Sequence, residues 1–380
     1  MRRGEEQAMI IGVPKEIKPQ EGRIGMVPAG VAQLVEDGHQ VLIEKEGGKA
    51  AGVPDASYEK VGAKIVDTAA EVWSQADMIV KVKEPLESEW PMIREGQTLF
   101  TYFHFAAARP LTDAMLASGA YCFAYETLED PRVEGLPLLT PMSEVAGRMS
   151  VQEGAYHLES PRGGNGVLLG GVAGVEPGKV VILGGGIVGT EAARMASGLG
   201  ARVFILDIDL DRLRELSMLL PGNVFVLHSS RYNILEHIAD ADLVIGAVLI
   251  KGHRAPRLVR KEDLAGMKDG AVIVDVAVDQ GGCIETCKPT THENPTFVVD
   301  GVVHYCVANM PGGVPCTSTF ALTNATTPYI RKLAALGAVE AIKESASFQS
   351  AASVVKGQLC DEAVADSFGL SWTPALQVVS

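Results

Sequence analysis

Gly184-Gly185-Gly186-Ile187-Val188-Gly189 is the segment of this chain whose residue types and spacing point to the most specific chemistry. An apolar, β-branched run over 179–183 stops at these glycines. A helical pattern over 190–199 follows, and a second apolar run, 202–207, ends on Asp207. Glycine is common in turns, so G-x-G-x-x-G alone says little; the order strand, turn, helix, strand, acid gives it meaning. Gly184 permits the tight turn, Gly186 lets the backbone approach a pyrophosphate, and Gly189 lets helix and strand pack closely. The helix N-terminus behind them offers unpaired N–H groups and a positive dipole end to phosphates. Asp207 stands where a carboxylate accepts hydrogen bonds from an adenosine ribose. This segment binds a nicotinamide or flavin dinucleotide, on its sequence.

A second set of residues is picked out by position. Ligands of doubly wound sheets bind outside the carboxyl ends of the strands. Lys83 closes the strand pattern 78–83, His104 follows 98–103, and Asp279 follows 271–278. Arg23 lies in the loop after the first strand, and Asn309 and Met310 lie in the turn before the C-terminal helices. Taken singly, each has an ordinary explanation: a solvated cation, a core histidine between Phe103 and Phe105, or an acid capping the turn before Gly281-Gly282. Together they form a coherent site. Two cations can hold a carboxylate, a histidine titrates near neutrality, and an acid stands at the rim of the cofactor domain.

The elements that must position these residues read as α/β. Short apolar runs at 9–13, 40–44, 63–66, 77–81, 98–102 and 121–124 alternate with helical patterns such as 29–37 and 110–117. That alternation predicts βαβ units and a mostly parallel sheet. A helix over 143–159 and a Gly-rich stretch over 163–178 lead into a second set of strands at 179–183, 202–207, 223–227, 242–247, 271–275 and 296–299. Beyond residue 310 the pattern is helical, with no strand alternation. Those helices have no sheet of their own and are expected to pack back on the first domain. The predicted architecture is therefore α/β with two doubly wound domains. A Rossmann cofactor domain, residues 138–310, is inserted within a discontinuous substrate domain of residues 1–137 and 311–380.

Bulk properties narrow the function classes. A chain of 380 residues is expected to form two domains, and 47% apolar with 21% charged residues is a globular composition. The formal charge of −14 argues against nucleic acid or an anionic membrane as partner, since both need a basic face. No window approaches the roughly 20 apolar residues of a membrane span, and the N-terminal residues lack a signal-peptide core. A cytoplasmic location is expected. The six cysteines are scattered, Cys283 and Cys287 being the only close pair, and no metal site is expected. The acid Asp207, with no cation directly after it, favours NAD over NADP.

Several of these segments are family-specific. Ile11-Gly-Val-Pro-Lys-Glu16, Lys81-Val-Lys-Glu-Pro85, Phe100-Thr-Tyr-Phe-His104, Leu139-Thr-Pro-Met-Ser-Glu-Val-Ala-Gly-Arg148, Val274-Asp-Val-Ala-Val-Asp-Gln-Gly-Gly282 and His304-Tyr-Cys-Val-Ala-Asn-Met-Pro311, with the glycine turn, resemble the alanine dehydrogenases from Met9 onward. The resemblance implies reversible oxidative deamination of L-alanine to pyruvate and ammonium with NAD, by a homohexamer. It implies that Arg23 and Lys83 hold the substrate and that His104 and Asp279 are the catalytic pair. The NAD contacts it implies are Ser143, Gly184, Gly186, Ile187, Val188, Gly189, Asp207, Arg212, Ser229, Val248, Leu249, Val276, Asp279, Val307, Ala308, Asn309 and Met310. One departure is Gly25-Met26, where relatives carry small aliphatic residues; the first eight residues have no counterpart. Two alternatives stand beside this reading. One is the nucleotide-binding subunit of a proton-translocating transhydrogenase, which shares the architecture but lacks a histidine at the place of His104. The other is a related amino-acid dehydrogenase with another side-chain preference.

Overall fold

A computed structural model of the chain describes residues 8–248, 255–278 and 281–380. They form two compact units. One comprises the residues up to Met142 together with Gly312–Ser380; the other is Ser143–Pro311.

The first unit is built on β1 (Ile10–Val13), β2 (Gln40–Glu44), β3 (Lys64–Val66), β4 (Met78–Val80), β5 (Thr98–Thr101) and β6 (Tyr121–Ala124). The inner strands β1, β4, β5 and β6 are short, mainly apolar runs buried on both faces, as parallel strands between helical layers must be, while the edge strand β3 is partly exposed. The order β6-β5-β4-β1-β2-β3 makes the sheet doubly wound. The chain proceeds from β1 outward to β3, then crosses back to β4 on the other side of β1. The strand order therefore reverses between β1 and β4. A core of Trp73, Leu99, Phe103, Phe105, Met115 and Cys122, among others, fills one face.

The second unit contains β7 (Lys179–Leu183), β8 (Arg202–Asp207), β9 (Val224–His228), β10 (Leu243–Gly246), β11 (Val272–Asp275), β12 (Thr296–Val299) and β13 (Val302–Tyr305), in the order β12-β13-β11-β10-β7-β8-β9. All pairs are parallel except β12 with β13. Its strand order reverses between β7 and β10. The helix Thr140–His157 runs from the end of the first unit into the second, where it is held close: a Cβ on Gly147 would lie 2.4 Å from the Val188 carbonyl oxygen.

One expectation fails. The C-terminal region is not wholly helical. After the long helix Pro315–Glu344, broken at Gly337, and the short helix Ala346–Ala351, the chain forms β14 (Ala352–Val355) and β15 (Gln358–Leu359). β14 pairs antiparallel with β6 and extends the first sheet to eight strands. The run is too short for alternation to register. Its signal is the turn: Lys356 and Gly357 both have positive φ, the requirement of a two-residue hairpin loop. β13 likewise goes unmarked in the sequence reading, because its residues read as the end of a turn.

Candidate active site and dinucleotide cradle

The doubly wound order of the first sheet sets out the polar residues in a row. Arg23 follows β1, Lys83 follows β4 and His104 follows β5, so three adjacent strands each deliver one residue at their carboxyl ends. Arg23 and Lys83 flank the point where strand order reverses, the place where such sheets leave a crevice for a ligand. The next strand in the row, β6, delivers Glu126, in a short 3-10 turn (Tyr125–Thr127). The sequence reading did not single it out.

Arg23 is buried and gripped by Glu21. Its Nε donates to Glu21 Oε1 at 2.7 Å, its Nη2 to Oε2 at 2.5 Å, and its Nη1 points at the Met142 sulfur at 3.1 Å. Burial opposes the guanidinium charge, but the hydrogen bonds and charge of Glu21 outweigh it and raise its pKa. The departure at Gly25 has a structural reason. A Cβ there would come within 2.8 Å of the Val80 carbonyl oxygen at the end of β4, so this loop lies flat against the strand that presents Lys83.

Lys83 is buried, 3.8 Å from Glu84. Burial lowers its pKa; Glu84 opposes this, while Lys18 and Arg23 add to it. Its backbone is held from beneath. Glu16 Oε1 accepts from the N–H groups of Val82 (2.6 Å) and Lys83 (3.2 Å), while Glu16 Oε2 and Glu89 each lie 3.0 Å from the buried ammonium of Lys81. The motif segments around Glu16 and Lys81 thus form one buried ionic support for the lysine above.

His104 adopts φ +52°, a conformation that costs a non-glycine residue about 1 kcal/mol or more and that clusters at functional sites. Its ring stacks on Tyr102, centroids 5.7 Å apart and planes within 3°. Burial pushes its pKa down to about 3, and the cations Lys83, Lys18 and Arg23 push the same way. The side chain keeps 37% of its surface accessible, so solvent tempers that effect. Burial first, and the three neighbouring cations after it, thus disfavour the imidazolium in the free protein, a pull that the sequence alone does not disclose.

In the second unit the glycine turn meets each steric requirement of a dinucleotide cradle. Gly184 has φ +105°, and a Cβ there would lie 2.7 Å from the Ala247 carbonyl oxygen. A Cβ on Gly189 would lie 1.9 Å from the Gly184 carbonyl oxygen, whereas Gly186 faces open space. Ile187 and Val188 open the helix Ile187–Gly198. Asp207, at the end of β8, accepts from Gly185 N–H at 2.6 Å, and Arg212 donates to the Gly185 carbonyl at 2.8 Å and to Thr190 at 2.8 Å. The acid and the arginine therefore fix the turn through the two peptide groups on either side of the Gly185 Cα. Ser229 follows β9 and donates its N–H to the Asp207 carbonyl (2.8 Å). Val248 follows β10, and Val276 follows β11 and donates to the Gly246 carbonyl (2.9 Å). The turn of Val307, Ala308, Asn309 and Met310 follows β13; Asn309 has φ +63° and its carbonyl lies 3.2 Å from His292 Nε2. Ser143 lies in the first turn of the helix Thr140–His157, half-buried. Asp279 and Leu249 lie outside the described residues. Among the described residues there is no cluster of three or more metal-ligating side chains, and no helix is long and apolar enough to cross a membrane.

Two domain patterns cover this chain. The N-terminal domain of the alanine dehydrogenase/PNT family matches residues 12–146, and its C-terminal domain matches residues 150–362. The chain belongs to the alanine dehydrogenase/PNT family. Within that family, it is 50% identical to the alanine dehydrogenase of Mycolicibacterium smegmatis over 98% of this chain and 100% of that one. It is 51% identical to that of Bacillus subtilis over 97% of each. Among solved structures, an L-alanine dehydrogenase superposes with a TM-score of 0.92 at 53% identity, covering 95% of this chain and 99% of that one. A transhydrogenase from Sinorhizobium meliloti superposes with a TM-score of 0.80 at 28% identity, covering 93% and 99%.

Proposed function

We propose that this chain catalyses the reversible oxidative deamination of L-alanine to pyruvate and ammonium with NAD. The observation that carries the reading is the full-length likeness to alanine dehydrogenases at about half identity. The transhydrogenase reading is the weaker, since that structure is markedly more distant.

NAD is the cofactor on this reading. The open space at Gly186 supports a pyrophosphate there, and Asp207 on this reading accepts from the ribose hydroxyls and repels a 2′-phosphate. Ser143, Arg212, Ser229, Val248, Leu249, Val276 and the turn 307–310 complete the contacts. When bound, NAD supplies the acceptor for the hydride of the alanine Cα. The chain's own residues do the rest. Arg23 offers its guanidinium and Lys83 its ammonium to the substrate carboxylate and carbonyl oxygen. His104 moves the protons that water addition and ammonia departure require, and Asp279 orients water or stabilises the developing cation. Lys83 with its lowered pKa is the better proton sharer of the two cations, and Arg23 the fixed charge.

A homohexamer in the cytoplasm belongs to the same reading, and light scattering of the purified chain tests the assembly. The activity test is direct. Absorbance of the reduced nicotinamide ring should rise with L-alanine and NAD and fall with pyruvate, ammonium and the reduced cofactor. No change in either direction overturns the proposal.

A further inference from the structure

Glu126 and His104 are placed beside one another by register. β5 and β6 are parallel neighbours with Thr101 opposite Ala124. The chain leaves both strands at the same rim, three residues before His104 and two before Glu126. Glu126 is partly buried, with 15% of its side chain exposed, and uses its carboxylate on the His104 turn. Oε1 accepts from the N–H of His104 at 2.5 Å and of Phe103 at 3.1 Å, and Oε2 lies 3.3 Å from the latter. The strained φ of His104 is thus tied down by an acceptor from another strand. The same Oε1 lies 3.9 Å from His104 Nδ1, beyond a hydrogen bond but within ion-pair reach once the ring is protonated.

We infer that Glu126 is a positioning residue for His104, holding its backbone in the left-handed turn and supplying the counter-charge for the imidazolium that forms during turnover. The inference rests on the reading of His104 as the proton-transfer group. The surrounding charges explain why a counter-charge is needed. Lys83, Lys18 and Arg23 all disfavour a further cation here, and Tyr102, stacked on the ring, is neutral. Glu84 and Glu21 are occupied with Lys18 and Arg23. Among the described residues, Glu126 is the acid within ion-pair reach of the imidazole. Burial raises its carboxyl to about 7, against the hydrogen bonds from His104 and Phe103, and Lys83 lowers it. In the free protein a proton on this pair therefore favours the carboxyl over the ring. A bound substrate carboxylate, by offsetting Arg23 and Lys83, raises the histidine and moves the balance toward the ring.

Glu126→Gln in the full-length chain separates the charge from the hydrogen bonds, since the amide oxygen still accepts from both N–H groups. Expected are an unchanged melting temperature, pyruvate and cofactor binding within about threefold, and kcat lower by about 10- to 100-fold, part of the roughly 10²–10⁴ that acid–base catalysis contributes. The limb of the kcat/KM profile near pH 7 should shift by at least about one unit or vanish. In a His104→Ala background the same substitution should change kcat no further. Normal turnover by His104→Ala would defeat the functional reading itself. A dead His104→Ala beside a Glu126→Gln variant with normal kcat and pH profile would overturn only the role of Glu126, as would effects that multiply. If the glutamine variant does not fold, histidine-specific ¹⁵N NMR of the unaltered protein decides: addition of pyruvate and reduced cofactor should raise the pKa of His104, and no change refutes the inference.

Discussion

At the scale of single residues the site separates charge from orientation. Arg23 donates two parallel bonds to Glu21 before any ligand arrives, so its guanidinium plane has a set direction. Arg23→Ala should weaken pyruvate binding by about 2–5 kcal/mol, the usual loss when one partner of a buried charge pair is truncated. Binding of reduced cofactor should stay within about threefold. Arg23→Lys should recover little, because an ammonium keeps the charge and loses the fork. Initial-rate kinetics together with fluorescence titration of the cofactor measure both; equal losses for the two ligands would mean a folding defect. Asp207→Gly carries a double consequence, since it removes both the discriminating charge and the acceptor for Gly185. The ratio of kcat/KM for NAD over NADP should fall at least about tenfold, with weaker NAD binding as well. An unchanged ratio in steady-state assays would show that the acid does not set the preference.

At the scale of elements, strand ends do the positioning, and the same fact decides what the sequence discloses. Lys83, His104 and the glycine turn are legible because each follows a recognisable apolar run, and ligands gather at such ends. Glu126 obeys the same rule after β6. It goes unnoticed because an acid between Tyr125 and Thr127 resembles a surface turn until β5 and β6 are known to be neighbours. The downward pull on the His104 pKa is invisible for a related reason: it comes first from burial and then from Lys83, Lys18 and Arg23, which converge from separate loops. The strands β14 and β15 are hidden by length. What sequence shows best is steric necessity within a turn, and the helix Ile187–Gly198 offers a paired test. Gly189→Ala forces a Cβ to within 1.9 Å of a backbone oxygen, so it should lower the melting temperature and abolish cofactor binding. Gly198→Ala, exposed on the same helix with nothing within 4 Å, should stabilise by about 0.5–1 kcal/mol through helix propensity alone. Thermal melts of the two variants in opposite directions are the expected result; two losses would show that Gly198 has a constraint of its own.

At the scale of the whole molecule, the first unit is sewn from two distant stretches of chain. Arg331 pairs with Asp37, Tyr329 donates to Asp130 at 2.8 Å, and Ser350 accepts from the N–H of Glu129 at 2.9 Å. β14 and β15 complete the sheet with Val354, Val355 and Leu359 buried. Each such side chain contributes about 1.5–3 kcal/mol by burial. Ending the chain after Ala351 should therefore leave a protein that is largely insoluble or that melts many degrees lower, as a soluble-fraction assay and a thermal scan would show. A truncated chain with an unchanged melting temperature would mean that the edge strands are dispensable.

That arrangement also shapes how the protein is made. As the polypeptide leaves the ribosome, Phe123 emerges long before its partner Ala352. At typical synthesis rates the intervening residues take on the order of 10–50 s to appear. Throughout that interval β6 is an apolar strand with one row of backbone groups unpaired, the kind of edge to which another nascent chain can add. The second unit, encoded without interruption, has all its strands available well before the first can close. Biosynthesis thus runs in the reverse of reading order, with the later-encoded unit complete first, and the waiting edge of β6 is where a chaperone would be most needed.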